Sequence, residues 1–273
     1  MKAHGRWCGS VQLHEGKSVL RSSEHTAPLK VAKTFQAQSG ELLVYLMDAS
    51  AGLFGGDTQS IECHVGPGAS LYVTSQAACK LHPAAGDAPS LLTQRMFVAE
   101  NATLEYFPEP MIPLSDSHHE GDMKVWLSSG AQAFIGEIIT AGRVGRGEFF
   151  KYRRFANRMS VYWNSELSVY DPLELRPSEW IGSAAVFEGF THIGTLWALS
   201  DRIGAGELQL LQELLSSPRW NVRLYGGCSQ LQRGGVVLRA LGKSAWELQE
   251  VLYEAWSLLR SQALGKPLLK IRK

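Results

Sequence analysis

The chain has 273 residues, 45% of them apolar and 19% charged, with 27 basic against 26 acidic side chains. That composition supports a sizeable buried core, and the balance of charge removes any whole-molecule attraction to nucleic acid or anionic membrane. The longest stretch without Asp, Glu, Lys or Arg, residues 63–79, contains Gly66, Pro67, Gly68 and Gln76 and does not make a membrane span, and the N-terminal MKAHGRWCGSVQLHEG lacks the apolar run of a secretory signal.

From Trp7 to about Leu175 the sequence reads as many short strands. Polar and apolar residues alternate in Ser10-Val11-Gln12-Leu13-His14, β-branched and aromatic residues are frequent, and Gly and Pro punctuate often. Three segments share one pattern: Val65-Gly66-Pro67-Gly68-Ala69, Val98-Ala99-Glu100-Asn101-Ala102 and Leu127-Ser128-Ser129-Gly130-Ala131. Each is a strand end, a turn, then a new strand, with a residue that tolerates positive φ at the same place (Gly68, Asn101, Gly130). Units repeating at this spacing suggest stacked β coils, an irregular β-helix or layered sheets, although hairpins of an ordinary sandwich give a similar string.

The C-terminal third changes character. Glu207–Leu215 is a short amphipathic helix stopped by Pro218. Asn221–Tyr225 and Gly235–Ala240 read as paired strands around Gly226-Gly227. Ser244-Ala245-Trp246-Glu247 is a capping box that opens a helix with Leu248, Val251, Leu252, Ala255, Trp256 and Leu259 near one face, ended by Gly265 and Pro267. The expectation is a mainly β protein of irregular β-helix-like stacked sheets with about two C-terminal helices. It forms a single domain over 1–273, β-rich through 1–205 with a mixed α/β tail over 206–273.

Several strings carry candidate chemistry. Ala51-Gly52-Leu53-Phe54-Gly55-Gly56-Asp57 has no lysine to meet a phosphate and sets a carboxylate where one would be repelled, so it is not a nucleotide loop. Asp57 is then a general acid or base, or a turn residue that caps local amides, its commoner role. Cys8, Cys63, Cys79 and Cys228 form no CxxC and fit thiols in a reducing cytoplasm. Two clusters offer metal donors: Cys79-Lys80-Leu81-His82, with Cys63-His64 one unit earlier, and a loop holding His118, His119, Glu120 and Asp122. The second would serve a β-helical metal-dependent hydrolase. Residues 143–158 interleave six basic residues with Phe149, Phe150, Tyr152 and Phe155, which suits single-stranded nucleic acid, a wet strand face or an acidic partner.

Five strings taken together point further. AGLFGGD (51–57), VGPGASLYVTSQAACK (65–80), NATLEYFPEPMIP (101–113), SGAQAFIGEIITAGRVGRGE (129–148) and VVLRALGKSAWELQEVLYEAWSLLR (236–260) occur in the order of one family, over nearly the whole chain. They resemble the urease accessory proteins called UreD, or UreH in some bacteria. The resemblance implies a β-rich, non-enzymatic scaffold on the urease apoprotein that binds the helical accessory protein UreF and, through it, the nickel-carrying GTPase UreG. It implies no tightly bound cofactor, only Ni²⁺ in transit through an internal tunnel, and no nucleic-acid or membrane partner. The family pattern falls on Gly55, Gly56, Asp57, Thr74, Gln76 and Lys80, on Glu105, Pro108, Glu109 and Pro110, and on Glu137, Gly142, Arg143, Gly147 and Glu148. Within it, Asp57, Glu105 and Glu137 are the expected transient nickel donors, being acids with no cation nearby in sequence, for which unpaired burial is costly. One departure stands out: Cys79-Lys80-Leu81-His82 replaces the family's hydroxyl residue followed by Lys-Val-Tyr.

Overall fold

A computed structural model describes residues 2–83, 86–179, 187–269 and 271. The strands begin with β1 (His4–His14), β2 (Lys17–Thr26), β3 (Leu29–Gln36), β4 (Leu42–Asp48), β5 (Thr58–Val65) and β6 (Ser70–Ser75). They continue with β7 (Cys79–Leu81), β8 (Ser90–Val98), β9 (Thr103–Tyr106), β10 (Met111–Pro113), β11 (His118–Leu127) and β12 (Gln132–Thr140). After β13 (Arg154–Trp163), β14 (Glu166–Leu175) and β15 (His192–Leu199) comes helix α1 (Ala205–Ser216), followed by β16 (Tyr225–Gln230), β17 (Val236–Gly242) and α2 (Ala245–Leu264).

The middle of the chain winds as coils. Successive strands alternate between two sheets, so β5, β8, β11 and β13 lie parallel in one, and β4, β6, β9 and β12 lie parallel in the other. Antiparallel strands close the edges, β2 and β14 on the first sheet, β3 and β15 to β17 on the second. The expected turn positions stack in register: Gly68, Asn101 and Gly130 have φ of 67°, 55° and 66°. The Gly68 N–H donates to Glu100 O and the Asn101 N–H to Ser129 O, so each turn satisfies the next. The stacked-sheet expectation is therefore met, with β-solenoid-like coils between antiparallel edges.

Two apolar layers follow from strand alternation. Ile61, Cys63, Val65, Leu92, Met96 and Val98 of the first sheet face Val73, Leu104, Ile135 and Ile139 of the second. The opposite face of the second sheet, with Tyr72, Phe134 and Ile138, is covered by α1 and by the predicted stripe of α2, including Trp256. Ser244 caps α2 by accepting the Glu247 N–H, and Gly265 ends the helix at φ 61°. The C-terminal hairpin differs from the reading at 221–240. Gly226 and Gly227 lie inside β16, and the turn is at Leu231–Gly235, where Gly234 and Gly235 have φ of 105° and 107°. No helix among the described residues is long and apolar enough to cross a membrane.

Candidate functional site

The three acids singled out in the sequence stand in three different environments. Asp57 closes the turn that follows Gly52. Its carboxylate accepts the N–H of Phe54 at 3.0 Å and that of Ala3 at 2.8 Å, so both oxygens cap backbone amides. Gly52 makes the bend possible: at φ 128° its Cα lies so close to β7 that a Cβ would meet Lys80 O at 2.2 Å.

Glu105 does have a cation, one that local sequence could not reveal. Arg260 of α2 donates to it at 2.8 Å and Trp256 Nε1 donates at 2.9 Å, while the same guanidinium bonds Glu41 at 2.5 Å. All three charged side chains are fully buried. Burial pushes the Glu105 carboxyl up, against the pull of Arg260. The expectation of an unpaired acid is thus corrected at this position. Moreover, Glu105 pairs in register with Phe134, three residues from Glu137, so the two acids point to opposite faces of one sheet. They do not line one passage together.

Glu137 points into the seam between the sheets, with no ion-pair partner among the described residues. Its hydrogen-bond donor is Asn157 Nδ2 of β13. Gly121 makes room for that contact. In the rung Gln59–Leu92–Gly121–Asn157, a Cβ on Gly121 would strike Asn157 Oδ1 at 2.1 Å. Burial raises the Glu137 carboxyl to about 7, opposed by the Asn157 hydrogen bond and by Arg239 and reinforced by Asp171.

Glu137, Asn157, Gln94, Asp171 and Arg239 line a cavity of about 20 Å³, room for a water. A larger cavity of about 210 Å³, bordered by Asp48, Gln59, Gln76, Cys79, Lys80 and Tyr106, occupies the same seam. The two meet where Gln94 donates to Tyr106 Oη at 2.7 Å and where Asn157 contacts Met111 Sδ at 3.9 Å. A polar route therefore crosses the apolar layer, gated by neutral side chains. Other carboxylates border the two cavities, Asp171 beside Glu137 in the smaller and Asp48 and Glu109 in the larger, but Asp171 is held by Arg239 and Asp48 accepts from Gln59.

The other motif residues hold the walls. Gly56 sits at φ 89° in the Asp57 turn, next to Gly55. Thr74 Oγ1 donates to Phe107 O at 2.6 Å, the Gln76 N–H donates to Leu46 O, and Lys80 O receives the Leu53 N–H. Glu148 accepts Arg143 Nε at 3.0 Å and the Ser115 N–H at 2.8 Å, which closes the loop after β12.

The competing clusters come apart in space. His118, Glu120 and Asp122 are not in a loop but on β11, whose alternation turns His119 inward against Phe155 and Ser90. Burial pushes His119 down to about 3, which keeps it neutral. Glu120 is bound by Arg154 and Asp122 by Arg95 and Arg158, so the four do not converge on a metal. These pairs take up Arg154 and Arg158 of the 143–158 basic stretch, Arg143 pairs with Glu148 and Arg153 with Asp87, and Tyr152 and Phe155 are buried away from any stacking base. Cys79 borders the larger cavity, whereas His82 stacks on Phe54 at 4.2 Å and bonds Ala51 O.

A family model of the UreD urease accessory proteins matches residues 4–273. The chain belongs to that family. It is similar to the urease accessory protein UreD of Halalkalibacterium halodurans, 28% identical over 264 residues, which covers 96% of this chain and 95% of the relative. It is also similar to UreD of Acetivibrio thermocellus (30% over 244 residues, 89% and 92% covered) and to UreH of Helicobacter pylori strain J99 (30% over 232 residues, 85% of each). Membership brings a role in urease maturation.

Within this UreD-family chain, sequence reasoning missed Asn157, Gly121 and Arg260. Gly121 carried a signal, since a glycine inside a strand marks a close approach. Arg260 carried none beyond being a lone arginine within an apolar helical stretch.

Proposed function

We propose that the chain is a non-catalytic scaffold for nickel insertion into urease. It docks on the urease apoprotein, binds a UreF-type helical protein and through it the nickel-carrying UreG, and works in the cytoplasm. Ni²⁺ is cargo and moves along the seam between the sheets. The observation that supports this reading is Glu137: a buried carboxylate without a salt bridge among the described residues, lining the smaller of the two cavities in the seam. A passage needs oxygen donors that attract a divalent ion without caging it, and Glu137, whose cavity neighbour Asp171 is already bound to Arg239, meets that need. Asp57 and Glu105, already engaged, anchor the walls together with Thr74 of β6 and Lys80 of β7, and Gly55, Gly56, Gln76, Arg143 and Glu148 shape the loops that partners meet.

The test combines the chain, urease apoprotein and the UreF-type partner under limiting nickel. Glu137→Ala should co-purify as the parent does yet lower the nickel content of urease. Normal loading by that variant removes the passage from the proposal, and failure of the parent chain to bind urease apoprotein removes the scaffold.

A further inference from the structure

The outer face of the first sheet carries a second group of donors, far in role from the seam. Cys8 of β1 stands directly opposite Glu62 of β5, and His64 follows Glu62 by two residues on the same face. His64 Nε2 lies 2.7 Å from Glu62 Oε1, Cys8 Sγ lies 3.8 Å from that oxygen, and all three donor atoms fall within 4.8 Å of one another. Donors around a tetrahedral zinc ion stand roughly 3.2–3.7 Å apart, given bonds of about 2.0–2.3 Å. Small side-chain adjustments therefore suffice.

The arrangement is held in place. The His64 ring stacks on Phe97 of β8 at 4.6 Å and 10°, which fixes the plane that aims Nε2 at Glu62, and Phe97 continues the stack onto Trp126. The strand pairing β1–β5–β8 sets the spacing of all these residues. On the other side of Cys8, Glu24 of β2 is its cross-strand partner and offers one more carboxylate on the same face. The site is open to solvent, with the His64 side chain 45% exposed and that of Glu62 30% exposed. Among the described residues no other three His, Cys, Asp or Glu side chains come together in this way.

We propose that Cys8, Glu62 and His64 form an exchangeable surface site for a borderline divalent cation of the Zn²⁺, Co²⁺ or Ni²⁺ class. The thiolate and imidazole select this class over Mg²⁺ or Ca²⁺. Coordination forms the sulfur–metal bond and releases the Cys8 thiol proton to solvent. Three protein donors leave a position for water or Glu24, so the ion exchanges and does not hold the fold together.

Cobalt(II) added to the metal-free protein is the probe. The expected result is one ion bound with a near-ultraviolet sulfur-to-cobalt charge-transfer band, removed by a chelator with no change in circular dichroism. Cys8→Ser should abolish the band, and His64→Ala should weaken binding by at least the roughly 10–100-fold that loss of even an outer-shell partner costs. Cys228→Ser should keep both. Absence of the band in the parent protein, or its survival in Cys8→Ser, overturns the assignment. None of these readouts involves urease, so their outcome is separate from that of the nickel passage.

Discussion

Glu137→Gln isolates the cost of keeping an acid in the seam. The substitution preserves the oxygen that accepts from Asn157 and removes the ionisable proton. Burial lifts this carboxyl from its ordinary 4.5 to about 7. Below about 4.5 the acid is protonated in both folded and unfolded chains, and above about 7 it is ionised in both. Between those limits the folded chain binds more protons than the unfolded one, so the contribution of Glu137 to stability falls as pH rises. At about 1.4 kcal/mol per pH unit, the interval from 4.5 to about 7 corresponds to about 3 kcal/mol. The Gln variant should therefore match the parent in acid and exceed it by about 3 kcal/mol on the alkaline side of pH 7, the gap opening across that window. Urea unfolding of both proteins at a series of pH values measures this directly. Parallel pH profiles would refute the reasoning, because they would mean that Glu137 is solvated or paired in the folded chain. The same variant serves the nickel experiment, since a protein at least as stable as the parent cannot lose cargo by unfolding.

Two further substitutions test the frame around the seam. Arg260→Ala leaves Glu105 and Glu41 buried without their shared guanidinium. It should cost about 3–5 kcal/mol and lower the melting temperature by on the order of 10 °C, and a loss below about 1 kcal/mol, typical of an exposed pair, would refute the buried triad. Gly52→Ala would set a Cβ 2.2 Å from Lys80 O at φ 128° and should destabilise by more than about 2 kcal/mol, beyond the effect of Gly56→Ala, whose Cβ meets only the flexible Lys2 side chain at 3.0 Å. Equal effects in denaturant titrations would show that the approach of the Gly52 turn to β7 is not the constraint.

Features with a local cause were legible in the amino-acid string. Gly68, Asn101 and Gly130 mark turns because few residues accept positive φ, and their regular recurrence revealed the coils. The Ser244–Glu247 cap and the apolar stripe of α2 are likewise set within a few residues. The 226–235 hairpin was misread because two glycine pairs compete there, and pairing of β17 with β15 and β16 decides which of them turns. The acids show the same division more sharply. Sequence alone marked Asp57, Glu105 and Glu137 as unusual, since none has a basic neighbour. Whether each is paired depends on groups far along the chain: Arg260, 155 residues from Glu105, and Asn157 across the seam from Glu137. The sequence by itself determined the turns at Gly68, Asn101 and Gly130, the closing helix and the family resemblance. Only the tertiary structure decided which face of a strand each acid occupies and what meets it there, because strand alternation fixes the two sides while register and sheet stacking choose the neighbours.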